Sequence, residues 1–144
     1  DGWTGENRVR RVDILHDAGR SLNPALDLGQ IEGGFLQGVG WLTSEELRWN
    51  ARGELKTHAP STYKIPTARD WPAVTHICLL ESAPNREDSI HRSKAVGEPP
   101  LMLPISVWCA IADAVGSLKR GVIPKLAAPA TPEAILRAVK GMQA

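Results

Sequence analysis

The stretch from Ala25 to Leu47 constrains the chain most, because it carries two patterns that pull against each other. Leu28, Ile31, Phe35, Val39 and Leu42 recur at gaps of three and four residues, the spacing of an apolar helical stripe. Gly29, Gly33, Gly34, Gly38 and Gly40 lie in the same stretch, although a glycine inside a helix costs about 1 kcal/mol relative to alanine. At about 100° per residue, Gln30, Gly33 and Gln37 fall together opposite the stripe, with Gly40 at their edge. A solvent-facing side would carry lysine and glutamate there. Amides and glycines instead predict that something packs closely on this second side, so the helix is expected to be buried on both faces.

The flanking sequence supplies the rest of a mixed architecture. From Asn7 to Leu15, Val12 and Ile14 alternate with Arg11 and Asp13, the pattern of a half-buried strand. Ser21-Leu22-Asn23-Pro24 is a helix-start signal. A hairpin is expected from Glu46–Trp49 and Glu54–His58 around Asn50-Ala51-Arg52-Gly53, then a strand from Val74 to Leu80. Glu81 to Lys94 is polar, holds Pro84 and Asn85, and reads as a long surface loop. Leu101, Ile105, Trp108, Ile111, Val115 and Leu118 predict a second long helix, kinked at Pro104 and ended by Lys119-Arg120-Gly121. Thr131-Pro132-Glu133 opens a short helix to Lys140, with Gly141 past its end. The fold class expected is α+β in one domain, a small sheet packed with two long helices.

Charge and composition narrow the function. The net charge is +1, and the densest basic cluster, Arg8, Arg10 and Arg11, is offset by neighbouring acids, unlike the clustered basic face of a nucleic-acid binder. No uninterrupted apolar run approaches the roughly 18 residues of a membrane span, and no secretory signal is visible. Cys78 and Cys109 lie far apart, outside any Cys-x-x-Cys spacing, and are expected to be buried reduced thiols, which points to the cytoplasm. The opening Asp1-Gly2-Trp3 lacks methionine and runs almost directly into a strand, as a fragment, a processed chain or one half of a split protein would.

Among candidate chemical groups, Glu98 stands out. It sits between Gly97 and Pro99-Pro100, just ahead of a helical pattern. Prolines present no N–H, so the carboxylate is less apt to be consumed as a cap and is free to act elsewhere. A solvated loop glutamate fits the same residues. Gln37 is either a structural amide or a ligand contact. Asp13, His16 and Asp17 lack a matching second ligand group for a metal. No serine occupies a Gly-x-Ser-x-Gly elbow, and the glycines of Gly33 to Gly40 fit neither a P-loop nor a dinucleotide fingerprint.

Four segments, in collinear order along nearly the whole chain, resemble the molybdenum hydroxylases. They are Asp17 to Gln37 (DAGRSLNPALDLGQIEGGFLQ), Ser61-Thr62-Tyr63-Lys64-Ile65-Pro66, Ser93 to Leu101 (SKAVGEPPL) and Ala128-Pro129-Ala130-Thr131-Pro132-Glu133. Ala95-Val96, Pro99-Pro100 and Ser61-Thr62 resemble the xanthine dehydrogenase branch more than the similar aldehyde oxidases, which typically differ there.

The resemblance implies that residues 1–144 are the C-terminal portion of a molybdenum cofactor-binding domain, a fragment of a larger subunit. It makes Glu98 the general base that takes a proton from the attacking oxygen at the molybdenum centre. Gln37 would lie near the metal's oxo group and pterin, and the backbone of Ala95, Val96 and Gly97 would border the cofactor. The implied cofactor is molybdenum–molybdopterin, shared with the upstream part of the subunit. FAD and [2Fe-2S] clusters on other modules would pass electrons to NAD, in a homo-oligomeric assembled enzyme that oxidises hypoxanthine and xanthine to urate. An aldehyde or another N-heterocycle as substrate, or a non-catalytic assembly domain, are the competing readings. Because most of the family's pterin contacts lie upstream, the chain alone is expected to be inactive and to bind no cofactor.

Overall fold

Residues 1–143 are described in a computed structural model. Strand β1 (Arg11–His16) leads into helix α1 (Pro24–Thr43), and the chain returns in strand β2 (Val74–Leu79). The two strands pair in parallel, from Arg11 opposite Val74 to His16 opposite Leu79. A parallel pair requires a long crossover, and α1 lies within it. Val12 and Ile14 of β1 and Ile77 and Leu79 of β2 join the apolar cluster that α1 fills with Ile31, Phe35 and Val39. The alternate residues Leu15 and Cys78 are paired in register on the outer face and exposed.

α1 starts and stops for local reasons. The Asn23 side chain accepts from Leu26 N at 3.2 Å, and Pro24 takes the first turn, where a missing N–H costs nothing. At the far end Thr43 Oγ1 donates back to Val39 O, and Ser44 and Glu45 N–H both donate to Gly40 O. The helix therefore ends four residues before the expected Leu47, which is exposed. Ile31 and Phe35 are fully shielded, and Phe35 meets Trp71 edge-on with ring centroids 6.2 Å apart.

The second long helix divides. Pro99–Met102 forms a 3-10 turn, and α2 (Ile105–Gly116) begins afresh behind Pro104, so only 12 residues are α-helical. Pro99, Pro100 and Pro104 remove three backbone donors in six residues, which breaks the ladder rather than kinking it. Taken together, Pro99–Gly116 is long and apolar enough to invite a membrane reading. The α-helical part is about 18 Å long, well short of a ~30 Å hydrocarbon core.

α2 links two apolar clusters: Val107 sits with α1, while Val115 joins Leu126, Ala130, Ile135, Ala138 and Met142 around helix α3 (Pro132–Gln143). Thr131 Oγ1 accepts from Ala134 N as the expected cap of α3, but the helix runs through Gly141 instead of stopping before it. Asn50 to Gly53 forms the expected turn, with Trp49 and Leu55 making a single antiparallel bridge. Both cysteines are free and exposed, against the expectation of burial: Cys78 takes the outward position in the strand alternation, and Cys109 the outer side of α2.

Candidate cofactor and catalytic site

Glu98 is exposed and precedes the Pro99–Met102 turn; its side chain makes no capping hydrogen bond there. Its backbone carbonyl accepts from Leu101 N at 3.0 Å. No ion pair or side-chain hydrogen bond engages this carboxylate among the described residues. Ala95 and Gly97 are exposed, whereas Val96 is buried in the α1 cluster between them and anchors the loop.

The turn after Glu98 lies along α1, and glycines make that approach possible. A Cβ on Gly34 would stand 2.7 Å from Pro100 Cβ, and one on Gly38 would collide with Leu101 O and stand 2.8 Å from Pro104 Cγ. Gly40 is filled in the same way by Pro66 and the Glu45 side chain. These three glycines are therefore explained by protein packing. Ser61 to Pro66 is the strap behind the Gly40 contact: Tyr63 OH donates to Glu45, and Ser44 Oγ donates to Lys64 O at 2.9 Å. The Glu45 carboxylate raises the Tyr63 phenol above its ordinary range, so that hydroxyl stays a donor.

The other flank of α1 is open. Leu26, Gln30, Gly33, Gln37 and Trp41 follow one another at gaps of three and four, and all five are exposed. A Cβ on Gly29 or Gly33 would meet nothing within 4 Å. The expectation of burial on both faces is thus corrected: in this chain one flank is covered by the 97–104 segment, and the other is open from Leu26 to Gln37 and meets the Pro66 strap at Gly40. Gln30, which the sequence reading left on the helix face without a role, lies beside the loop, its Oε1 3.5 Å from where a Gly97 Cβ would stand. Gln37 sits on the same flank about 10 Å further along. No hydrogen bond joins Gln37 to Glu98 among the described residues. The sole forward signal for Gln30 was its phase with Gly33 and Gln37.

Asp13, His16 and Asp17 do not converge on a metal. Asp13 is held by Arg11 in a two-bond ion pair, and Asp17 is bound to Lys94. The Lys94 ammonium, then the Gly19 N–H, hold the Asp17 carboxyl below its ordinary range. A carboxylate shifted down stabilises the fold above its unfolded pKa and loses that contribution only as pH falls through the folded value. The pair therefore persists at neutral pH. No group of three or more histidine, cysteine or acidic side chains suits a metal ion among the described residues.

A groove of about 640 Å³ is lined by Leu47, Thr57 to Pro60 and Tyr63 to Ile65, with neither Glu98 nor Gln37 in its walls. The candidate site is instead an open shelf: unpaired amides, glycines with free space above them, and one unpaired carboxylate. Such a shelf fits a flat heterocycle edged with donors and acceptors, the chemistry of a pterin.

Comparison with known proteins identifies the family. Residues 1–72 match the family model described as the molybdopterin cofactor-binding domain. The chain belongs to this family, the cofactor-binding domains of the molybdenum hydroxylases. Among relatives, it is 49% identical over 142 residues to xanthine dehydrogenase/oxidase of Gallus gallus, covering 96% of this chain and 10% of that protein. Aldehyde oxidase 1 of Cavia porcellus is 45% identical over 140 residues, covering 94% of this chain and 10% of that protein. Quinoline 2-oxidoreductase of Pseudomonas putida 86 shares the fold with a TM-score of 0.81 and 32% identity, covering 96% of this chain and 17% of that one. A Cu,Mo-CO dehydrogenase has a TM-score of 0.80 at 24% identity, covering 99% and 17%, which speaks for the fold alone. The chain spans about a tenth of the length of the curated relatives it matches.

Proposed function

We propose that residues 1–144 are the C-terminal portion of the molybdenum cofactor-binding domain of a cytoplasmic xanthine dehydrogenase. The assembled enzyme would oxidise hypoxanthine and xanthine to urate and pass electrons through [2Fe-2S] clusters and FAD on other modules to NAD. The observation that carries this reading is Glu98: an exposed carboxylate without a partner, on a loop anchored by Val96 and followed by a turn packed on Gly34 and Gly38 of α1, beside the open amide-lined flank.

When bound, molybdenum–molybdopterin supplies oxygen transfer to an electron-poor carbon and takes up two electrons. The role of Glu98 is to accept the proton released as the carbon–oxygen bond forms, which a carboxylate without an ion-pair or hydrogen-bond partner suits. Pro99 and Pro100 keep the carboxylate available, since they offer it no N–H to cap. Gln37 and the backbone of Ala95, Val96 and Gly97 would hold the pterin, with Gln30 beside Gly97 completing the rim. Gly33 leaves room on α1 for a ring to lie close.

A second reading keeps the chemistry and changes the substrate to an aldehyde or another N-heterocycle. It is favoured by one fact: the aldehyde oxidase relative, at 45%, falls within the range of the xanthine dehydrogenases. The deciding measurement is anaerobic single-turnover reduction of molybdenum-replete, assembled Glu98→Gln enzyme by a panel of xanthine, aldehydes and N-heterocycles. A loss of ~10²–10⁴-fold is expected with the preferred substrate, with metal content near normal. Wild-type rates in that variant remove Glu98 from the mechanism, and the wild-type panel itself decides between purine and aldehyde. Absence of molybdenum from the native complex would leave only a non-catalytic assembly domain.

A further inference from the structure

The loop that bears Glu98 is pinned at both ends. Beyond it, Pro100 is seated against Gly34 of α1. Before it, the chain from Arg92 to Lys94 is stitched to Asp17–Arg20: Arg20 N donates to Arg92 O at 3.0 Å, Lys94 N to Ala18 O at 2.9 Å, and Gly19 bridges Ser93. Gly19 has φ +62°, and a Cβ there would stand 2.6 Å from Arg92 O, so the approach depends on this turn. One carboxylate organises both parts of the junction. Asp17 Oδ1 accepts from Gly19 N at 2.9 Å, and Oδ2 accepts from Lys94 Nζ at 2.5 Å.

We propose that the Asp17–Lys94 ion pair is the latch that fixes the position of the Glu98 loop. Asp17 and Lys94 are thus positioning residues for the reaction; the inference rests on the reading of Glu98 as the base. Most surface ion pairs contribute little. This one differs in three respects. Its side chains are 35% and 40% exposed, and each of the other six pairs has at least one partner more than half exposed. It joins distant parts of the sequence, where most of the others are local. The same carboxylate also holds the turn that lets the two segments meet. Between the latch and the Pro100–Gly34 contact run only Ala95 to Pro99, so a shift at Lys94 is transmitted to Glu98 through a short tether.

The test uses the assembled full-length enzyme with Asp17→Asn, Lys94→Met, Lys94→Arg and, as a control, Glu98→Gln. Asp17→Asn retains an acceptor for Gly19 N, and Lys94→Met retains most of the apolar stem, so each removes the charge pair with little else. Two readouts are taken: amide hydrogen exchange at Ser93, Lys94 and Ala95, and the limiting rate of anaerobic reduction by xanthine per molybdenum. Both pair-breaking variants are expected to speed exchange at Lys94 and to lower the limiting rate, each by about tenfold or more. The half-saturating xanthine concentration should change little, and Lys94→Arg should restore most of both effects. Unchanged exchange in Lys94→Met overturns the latch. Faster exchange with an unchanged limiting rate, or a change confined to half-saturation, overturns its positioning role. A wild-type rate in Glu98→Gln overturns the base reading instead, and the exchange data then decide the latch independently.

Discussion

The two flanks of α1 carry glycine for opposite reasons. On one flank Gly34 and Gly38 are filled from outside by Pro100, Leu101 and Pro104, and they let two backbones come together. On the other, Gly29 and Gly33 stand beside Gln30 and Gln37 with open space above them. A helix gives up about 1 kcal/mol for each glycine, so both sets need something to offset that cost. The first set is offset inside this chain by packing; the second is not, and the proposed function assigns its counterpart to the remainder of the subunit and the cofactor.

The comparison is broken or sharpened by substitution. Phe35→Ala sets the scale, since Phe35 is fully buried among Ile14, Val107 and Trp71. It should destabilise the chain by ~3–5 kcal/mol, read as a drop in the urea midpoint at unchanged slope. Gly38→Ala comes next. Its methyl would meet the Leu101 carbonyl and the Pro104 ring, backbone and rigid groups that give little. A loss of ~1–3 kcal/mol is expected, typical of overpacking. A neutral Gly38→Ala would mean that the 97–104 segment does not lie against α1, and the whole site geometry would fall with it.

Much of this was legible in the sequence, and the rest failed for identifiable reasons. The stripe Ile31, Phe35, Val39 and Leu42 dictated the buried face of α1, the alternation around Ile14 and Ile77 gave both strands, and Thr131 announced α3. These are local signals of period 3.6, period 2 and capping. What could not be read was which glycines meet protein, because Gly34 and Gly38 meet Pro100 and Pro104 across the whole length of β2 and its loops. The parallel pairing of Arg11–His16 with Val74–Leu79 is non-local in the same way. The apolar pattern from Leu101 to Leu118 masked the break at Pro104, because periodicity persists across a 3-10 turn that the missing N–H groups impose. For the proposed site, Glu98 was singled out by its flanking glycine and prolines. Gln30 was not, since its neighbour Gly97 is distant in sequence.

Gly33→Ala separates the flanks most cleanly, because it should act in opposite directions in two states of the protein. In the cofactor-free chain the new methyl meets nothing, so the substitution should stabilise by up to ~1 kcal/mol through helix propensity alone. In the assembled enzyme the same methyl would stand where the cofactor or the remaining subunit approaches. Molybdopterin content per subunit should then fall. Stabilisation of the free chain with full cofactor content would show that this flank faces solvent in the enzyme too.

The smallest effect on folding is expected from Gln37→Ala. Gln37 is exposed and has no hydrogen-bond partner among the described residues, so its removal should leave the urea midpoint of the chain within ~0.5 kcal/mol of wild type. An amide that serves only the fold would behave in the opposite way, since cutting a buried, satisfied group costs ~1–3 kcal/mol. In the assembled enzyme Gln37→Ala is expected to lower cofactor retention or turnover while the overall fold, followed by circular dichroism, is unchanged. The two measurements must be read together. A stable chain with impaired cofactor binding places Gln37 on the ligand side of the helix, and a stable chain with normal cofactor content and turnover returns it to the solvent. A destabilised chain with normal molybdenum chemistry would instead make Gln37 a structural amide, and the open flank of α1 would lose one of the two groups that mark it as a binding surface.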